Sequence, residues 1–195
     1  MITNLENKLK FIELLDEMKS IERVITLKSW RKESDAEHSY HLATMVMVFI
    51  EDFPELDYLK CLKIALLHDI VEIFAWDTYI FDKEGIDTKK QRELESLKKI
   101  EKVLWENKFS DYKKIIEEYE DKNTKESIFV SQLDKLQPVI QVYIMWWKDH
   151  FTYKAKKEAV FENKYKIIDD TFGLRKVLDV YFEKLVKWNM FYIWD

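Results

Sequence analysis

The stretch that decides the fold of this 195-residue chain is LKCLKIALLHDIVE, residues 59–72. Its apolar residues recur at helical spacing, which predicts the buried face of an α-helix. Within that stretch, His68 and Asp69 place an imidazole beside a carboxylate. Burying a charge costs free energy unless the charge is paired or coordinates a metal. The stretch therefore predicts a core helix and makes His68 and Asp69 candidate metal ligands.

The composition favours an all-α fold. Hydrophobic residues make up 47% of the chain, which is enough for a packed core and excludes general disorder. Only two glycines and two prolines occur, whereas a β-rich fold needs many turns built from such residues. The sequence shows no repeat, low-complexity segment or linker. We therefore predict a single domain over residues 1–195.

Charge and hydropathy exclude several classes of partner. The formal net charge is −5, and the basic residues form no stripe that would indicate a nucleic-acid polymer. No apolar run reaches the ~18 residues of a membrane-spanning helix. The first residues lack the apolar segment of a signal peptide, and the single cysteine excludes a disulfide within the chain. We expect a cytoplasmic protein that binds neither a membrane nor a nucleic-acid polymer.

Helical periodicity predicts a series of amphipathic helices. A capping box, Ser34 with Glu37, is expected to start the second helix, which would end before Pro54. Pro138 is expected to kink or fray a later helix. The predicted helices span residues 4–19, 34–51, 56–76, 89–107, 109–119, 125–147, 153–168 and 174–190, with a connection over 20–32 and a loop over 77–88.

The metal-site hypothesis depends on a few candidate ligands. On a continuous helix, His68 and Glu72 share one face and Asp69 lies about 100° from His68, so one helix could present two ligands. His38 lies near the start of its own helix, and Asp134 lies one turn before a proline, where its carbonyl loses a hydrogen bond. Imidazole and carboxylate ligands suit Mn²⁺, Fe²⁺, Co²⁺, Ni²⁺ or Zn²⁺. A lone His–Asp pair is more often a coincidence, so spacing alone leaves both interpretations open.

Four segments resemble the HD-domain metal-dependent phosphohydrolases, most closely their 5′-deoxynucleotidase branch. They are RKESDAEHS (31–39), ALLHDIVE (65–72), WD (76–77) and QLDK (132–135). The similarity covers about residues 5–145, and the joint occurrence of Glu-His-Ser, His-Asp-x-x-Glu and a late Leu-Asp is specific. The resemblance implies an HD-domain helical bundle, with its core motif in about residues 20–145 and a C-terminal helical extension.

The resemblance also implies a metal centre and a substrate. One divalent ion (Mn, Co, Fe, Ni, Zn or Mg) would be held by His38, His68, Asp69 and Asp134. The implied reaction is hydrolysis of a (deoxy)nucleoside 5′-monophosphate to nucleoside and phosphate, so the expected partner is a small-molecule nucleotide. We also expect a homodimer.

Catalytic and substrate-binding residues follow from the same resemblance. It implies catalytic carboxylates at Glu72 and Asp77, one of which would activate water while the other protonates the leaving oxygen. It implies an arginine that reaches the substrate, matched by Arg23, with Arg31 as a second candidate.

Two positions depart from the deoxynucleotidase pattern. The family carries a tryptophan after the arginine, thought to disfavour a ribose 2′-hydroxyl, where this chain has Val24. The family also has a glycine before the catalytic aspartate, where this chain has Trp76. We expect Trp76 to narrow the pocket or to stack on a base, and Val24 to weaken selection for deoxyribose.

Several other histidines, lysines and aromatic residues are expected to have structural roles and no direct part in the site. His41 is expected to support the buried polar network, and His150 to lie at the surface. Lys89 is expected on a solvated helix face. The aromatic segments 146–147 and 188–194 are expected in the core or in a dimer contact.

Two other functions stay open from the sequence. An HD-type hydrolase of another phosphorylated nucleotide would be favoured by extra histidines for a second metal, and neither His41 nor His150 fits such a pattern. A nucleotide-binding module without catalysis is disfavoured by the complete set of ligands and carboxylates. A phosphate-release screen separates these classes.

Overall fold

The computed structural model describes residues 2–146 and 148–194 and is mainly helical. Within these ranges, ten α-helices accompany one short antiparallel sheet. The helices are α1 Leu5–Leu14, α2 Asp35–Phe49, α3 Tyr58–Leu67, α4 Glu72–Ala75, α5 Lys83–Glu101, α6 Glu106–Asp121, α7 Lys125–Ile144, α8 Lys148–Thr152, α9 Lys157–Ile167 and α10 Leu174–Lys187. The strands are β1 Glu22–Thr26 and β2 Lys32–Ser34. The predicted all-α class is confirmed.

Side-chain caps define the starts of the helices that carry the site. At α2, the Ser34 side chain accepts a hydrogen bond from the Glu37 amide while the Glu37 carboxylate accepts one from the Ser34 amide, so the predicted capping box is confirmed. Asp57 caps α3 by accepting from the Lys60 amide, and Thr124 caps α7. Each cap contributes about 1 kcal/mol and determines where its helix begins.

Several predicted boundaries were wrong. The helix predicted over 56–76 ends at Leu67, and a turn separates α3 from α4. The loop predicted over 77–88 is helical from Lys83, because Asp82 caps α5 there. The connection over 20–32 contains β1 and the start of β2, whose pairing joins segments that periodicity treats separately. α7 continues through Pro138 to Ile144.

The main core forms where α2, α3, α7 and α10 pack together. Its fully buried side chains include Leu42, Ile64, Leu133 and Leu178, one from each helix. Burying a large aliphatic side chain contributes roughly 1.5–3 kcal/mol. A second cluster joins α1, the segment 70–73 and helices α5 and α6. The turn after α3 therefore lies between two packed clusters, which hold it in place.

The aromatic segments near the C-terminus divide between core and surface. Met190 and Phe191 are buried against the main core. Trp146 and Trp188 are more than half exposed, with ring centroids 6.1 Å apart. Residue 147 lies outside the described residues, and the dimer contact stays a prediction.

No helix of the described ranges combines the length and the apolar character that crossing a membrane requires.

Candidate functional site

The turn after α3 presents the His–Asp pair. The His68 amide still donates to the Ile64 carbonyl at 3.0 Å, which closes the last turn of α3. The Glu72 amide then donates to the Asp69 carbonyl at 2.9 Å, three residues back, as in a tightened turn. Asp69 therefore lies at a break between helices α3 and α4. The rotation of about 100° from His68 that was predicted for a continuous helix does not apply to its side chain.

The four predicted ligands converge in space. Nε2 of His38 lies 3.0 Å from Oδ1 of Asp134 and 3.8 Å from Oδ2 of Asp69. Nε2 of His68 lies 3.1 Å from Oδ2 of Asp69 and 4.0 Å from Oδ1 of Asp134. Ligand atoms of His38, His68 and Asp69 all lie within 4.8 Å of one another. The first turn of α2, the end of α3 and the middle of α7 thus meet at one point.

Three of the four ring nitrogens of His38 and His68 lack hydrogen-bond partners among the described groups. Nδ1 of His68 lies 3.1 Å from the carbonyl of Ala65, which leaves Nε2 to face the carboxylates. Among the described groups, none makes a well-directed hydrogen bond with Nε2 of His68 or with either nitrogen of His38. Buried polar atoms are normally paired. Two imidazoles whose Nε2 atoms face two carboxylates without a well-directed hydrogen bond fit the donor set of a divalent transition metal.

Burial and neighbouring charges shift the pKa values of three predicted ligands toward the deprotonated forms that bind metals. Burial disfavours the ionised form of Asp69, but the adjacent His68 outweighs it and keeps the pKa of Asp69 below its usual range. Burial acts in the same way on Asp134, whose pKa is lowered by Lys135 and His38. Burial lowers the pKa of His38 and so favours the neutral ring. Metal ligands must be deprotonated, so these three states suit metal binding. His68 differs, because burial opposes its charged ring but Asp69 outweighs burial and raises the pKa of His68. A bound metal would therefore have to displace the proton of the His68 ring.

Tyr119 and Lys135 hold the second oxygen of Asp134. The Tyr119 hydroxyl donates to Oδ2 at 2.7 Å, and Nζ of Lys135 lies at the same distance from that atom. The Tyr119 ring also packs against His68, with centroids 4.9 Å apart. These contacts leave Oδ1 of Asp134 directed at His38. No sequence pattern indicated Tyr119, because the packing of α6 against α7 brings it to the site.

A pocket opens beside the cluster. Its polar lining includes Arg23, Asp69, Asp77, Lys89, Asp134, Lys135 and Lys164, and its apolar and aromatic lining includes Val24, Tyr79, Phe81 and Tyr153. We call it the central pocket. Two of the four predicted ligands, Asp69 and Asp134, therefore line the same pocket as cationic and aromatic side chains, the two types expected to bind a substrate.

Arg23 of β1 joins the acidic residues around the pocket. Its Nη1 lies 3.0 Å from Asp69, 3.2 Å from Asp35 and 3.9 Å from Asp77, and its Nε lies 3.6 Å from Glu33. Burial opposes the charge, but Asp77, Asp69 and Asp35 outweigh it and raise the pKa of Arg23 above its ordinary value. Arg23 thus orients both a candidate ligand and a candidate catalytic carboxylate, while its contact with substrate stays a prediction.

The two predicted catalytic carboxylates have different environments. Glu72 is 2% exposed, and its Oε1 lies 3.2 Å from Nζ of Lys89. Burial raises the pKa of Glu72 to about 8, although Lys89 opposes the rise. Asp77 lines the central pocket directly. The solvated position expected for Lys89 was wrong, because α5 begins at Lys83 and turns Lys89 toward Glu72.

The structure places Arg31 and Trp76 away from the lining of the central pocket. The Arg31 side chain is 57% exposed and donates from Nη1 to Glu37 at 2.7 Å. Trp76 is 66% exposed and adopts a φ of 66°, and Arg92 donates to its carbonyl. Their substrate-binding roles stay predictions.

Three further polar residues complete the surroundings. His150 was expected at the surface, but its Nδ1 lies 2.8 Å from the Met190 carbonyl and its ring stacks on Phe191. That expectation was wrong because the end of the chain packs over α8. His41 is half-buried and lies 3.2 Å from Gln137, as expected for a supporting residue. Lys164 of α9, which no sequence pattern indicated, is buried in the pocket wall.

A helical fold with a histidine–aspartate cluster beside a pocket is typical of helical proteins that have a metal-dependent active site. The family model described as "HD domain" matches residues 15–175. The chain belongs to the HD-domain family, and the resemblance seen in its sequence is confirmed.

Individual relatives agree with this assignment. The human protein named 5′-deoxynucleotidase HDDC2 is 32% identical over 68% of this chain, and the match covers 65% of the human protein, slightly less than two thirds of its length. The protein of the same name from Dictyostelium discoideum is 27% identical over 82% of this chain and 88% of its own. A solved structure described as a "Predicted metal-dependent phosphohydrolase", from Magnetospirillum magnetotacticum MS-1, has a TM-score of 0.88 and 26% identity, covering 98% of this chain and 97% of that one.

Proposed function

We propose that the protein is a metal-dependent phosphohydrolase that converts (deoxy)nucleoside 5′-monophosphates to nucleosides and inorganic phosphate. The observation that carries this proposal is the meeting of His38, His68, Asp69 and Asp134 beside a pocket that also contains cationic and aromatic side chains. The names of the similar proteins, 5′-deoxynucleotidase and metal-dependent phosphohydrolase, support the same reaction. We further propose one HD domain with a C-terminal helical extension.

The four converging side chains would hold the metal. Their imidazole nitrogens and carboxylate oxygens suit Mn²⁺, Fe²⁺, Co²⁺, Ni²⁺ or Zn²⁺, and Mg²⁺ remains in the set to be tested. A divalent ion bound there would lower the pKa of water and polarise the phosphoryl group. The protein's own contribution is orientation, because Tyr119 and Lys135 direct one oxygen of Asp134 away from the cluster and the other toward it.

The charged side chains of the pocket would position the phosphate. Arg23 has a planar guanidinium suited to phosphate oxygens and already orients Asp69 and Asp77. Asp77 lines the pocket, so it is placed to exchange a proton with the attacking water or the leaving 5′-oxygen. Glu72 lies behind Lys89 and, with a pKa near 8, can hold a proton at neutral pH. We propose that the two carboxylates divide the roles of acid and base.

The apolar and aromatic lining would receive the nucleoside. Tyr79 and Tyr153 have ring centroids 4.9 Å apart, and Phe81 packs edge-on against Tyr79. Aromatic faces of this kind accept a nucleobase by stacking without strong base selection. Val24 also lines the pocket and leaves more space than the tryptophan found in the deoxynucleotidase pattern.

A phosphate-release screen tests the proposal. Purified protein is stripped with a chelator, reloaded with Mn²⁺, Co²⁺ or Mg²⁺, and assayed with AMP, dAMP, other 5′-monophosphates, nucleoside triphosphates and cyclic dinucleotides. We expect metal-dependent release from the monophosphates, and loss of both release and metal binding in His68→Ala. Release only from polyphosphates or cyclic dinucleotides would assign a different HD-type reaction. Metal binding without release from any substrate would favour the nucleotide-binding module.

Assembly and location complete the proposal. We propose a cytoplasmic homodimer, a state that the exposed apolar side chains Leu5, Leu9 and Ile12 of α1 would favour. Light scattering after size-exclusion chromatography tests the dimer, and a mass equal to one chain at micromolar concentration would reject it.

A further inference from the structure

Lys164 is a buried lysine in the wall of the central pocket. It lies on α9, is 5% exposed, and lines the same space as Arg23, Asp69 and Asp77. Lysine is rarely buried to this extent without an acidic partner. Among the residues that the structure describes, no carboxylate forms an ion pair with it.

The electrostatic surroundings of Lys164 belong to the candidate metal centre. The pKa of Lys164 is lowered to about 7, mainly by burial and to a lesser extent by the cations Lys135 and Arg23, while Asp134 opposes the shift. The charged form therefore has too little compensation in the free protein. An anion bound in the pocket would supply that compensation.

The other cations of the pocket have acidic partners. Arg23 contacts Asp69 and Asp35, and Lys89 lies 3.2 Å from Glu72 and 3.3 Å from Glu93. These ion pairs compensate the charges of Arg23 and Lys89 in the absence of substrate.

Lys135 is likewise occupied, since its ammonium lies 2.7 Å from Asp134. Lys164 thus differs from the remaining cations in the described lining, because its donor groups are not committed to a carboxylate.

We propose that Lys164 binds the phosphate group of the substrate, and afterwards the released phosphate, by donating hydrogen bonds from Nζ to phosphate oxygens. The choice of a phosphate ester as ligand rests on the proposed function. The competing interpretation is structural: the aliphatic part of Lys164 packs in the core while the ammonium merely reaches pocket water. The two interpretations differ in what removal of the charge does to binding and to stability.

Replacement by methionine separates them. Lys164→Met keeps an unbranched apolar chain and removes the charge, and Lys166→Met, at an exposed position of the same helix, is the matched control. With inorganic phosphate as the probe and Mn²⁺-loaded protein in the calorimeter, we expect Lys164→Met to weaken binding roughly 10-fold to 100-fold, as for loss of a charge-assisted hydrogen bond. Lys166→Met should bind phosphate as the wild type does.

Thermal unfolding without phosphate is the second readout. Because the substitution removes an uncompensated buried charge, Tm of Lys164→Met should equal or exceed that of the wild type. Unchanged phosphate affinity in Lys164→Met would overturn the proposal. Weakened affinity accompanied by a lower Tm would also overturn it, since Lys164 would then be structural.

The wild-type protein provides a test that needs no variant. Reductive methylation with formaldehyde and cyanoborohydride, followed by peptide mass spectrometry, should modify Lys164 through the pocket that it lines. Inorganic phosphate should slow that modification while leaving Lys166 unaffected. Equal modification with and without phosphate would reject the proposal. Phosphate protection of Lys164 in a protein that hydrolyses no nucleotide would reject the proposed function and leave this inference standing.

Discussion

Replacing Tyr119 with phenylalanine removes one hydroxyl from the candidate metal centre and keeps the ring that packs on His68. The hydroxyl donates to Oδ2 of Asp134 at 2.7 Å, and after the substitution Lys135 alone among the described residues holds that oxygen. Hydrogen bonds to metal ligands fix their orientation, and losing one typically costs roughly 10-fold to 100-fold in metal affinity. We expect a loss of this size in Tyr119→Phe.

The assay is calorimetric titration of chelator-stripped protein with Mn²⁺. Tyr112→Phe is the matched control, because Tyr112 lies on the same helix and its ring packs on Phe11, 5.5 Å away, in the second hydrophobic cluster. It should bind Mn²⁺ as the wild type does. Equal Mn²⁺ affinity in Tyr119→Phe and the wild type would refute the reasoning, since Asp134 would then not be a ligand oriented by Tyr119.

Three other predictions concern catalysis, sugar selection and stability. Glu72→Ala and Asp77→Ala should retain Mn²⁺ binding and lose phosphate release by ~10²–10⁴-fold, as for a positioned acid or base; near-normal turnover in both variants would remove them from the mechanism. Because Val24 provides no clash with a 2′-hydroxyl, kcat/KM should differ little between AMP and dAMP, and Val24→Trp should introduce a preference for dAMP; a strong preference for dAMP in the unmodified protein would contradict this. Burial lowers the pKa of His150, so the unfolded chain binds more protons than the folded chain, and the free energy of unfolding should fall as the pH drops below 6.5. Urea unfolding at a series of pH values should show a smaller fall for His150→Gln than for the wild type. Identical pH profiles of the two proteins would exclude this contribution of His150.

Features that depend on residues close together in the sequence, or on composition, could be predicted from the sequence. The Ser34–Glu37 capping box starts α2 where the sequence places it, because both of its hydrogen bonds join residues three apart. The shortage of glycine and proline predicted the all-α class for a similarly local reason, since turns need those residues. The order of the segments around His38, His68 and Asp134 indicated the HD-domain family, which the family model confirms.

Helical periodicity was misleading where tertiary contacts decide the outcome. Apolar spacing continues from α3 into α4, yet the chain turns after Leu67 because residues 70–73 pack into the second cluster beside α1. His150 carries no local mark of burial, and Met190 provides its partner from 40 residues away.

The sequence alone therefore determined which residue types could make a metal-dependent site, since their identity and order are written in it. The tertiary structure decided which of them share a pocket. Tyr119, Lys89 and Lys164 reach the site from three helices, and no local pattern distinguishes them from the many other tyrosines and lysines of the chain. The physical reason is that helix propensity and periodicity act over a few residues, whereas the face that a helix turns toward a pocket depends on its packing against distant helices.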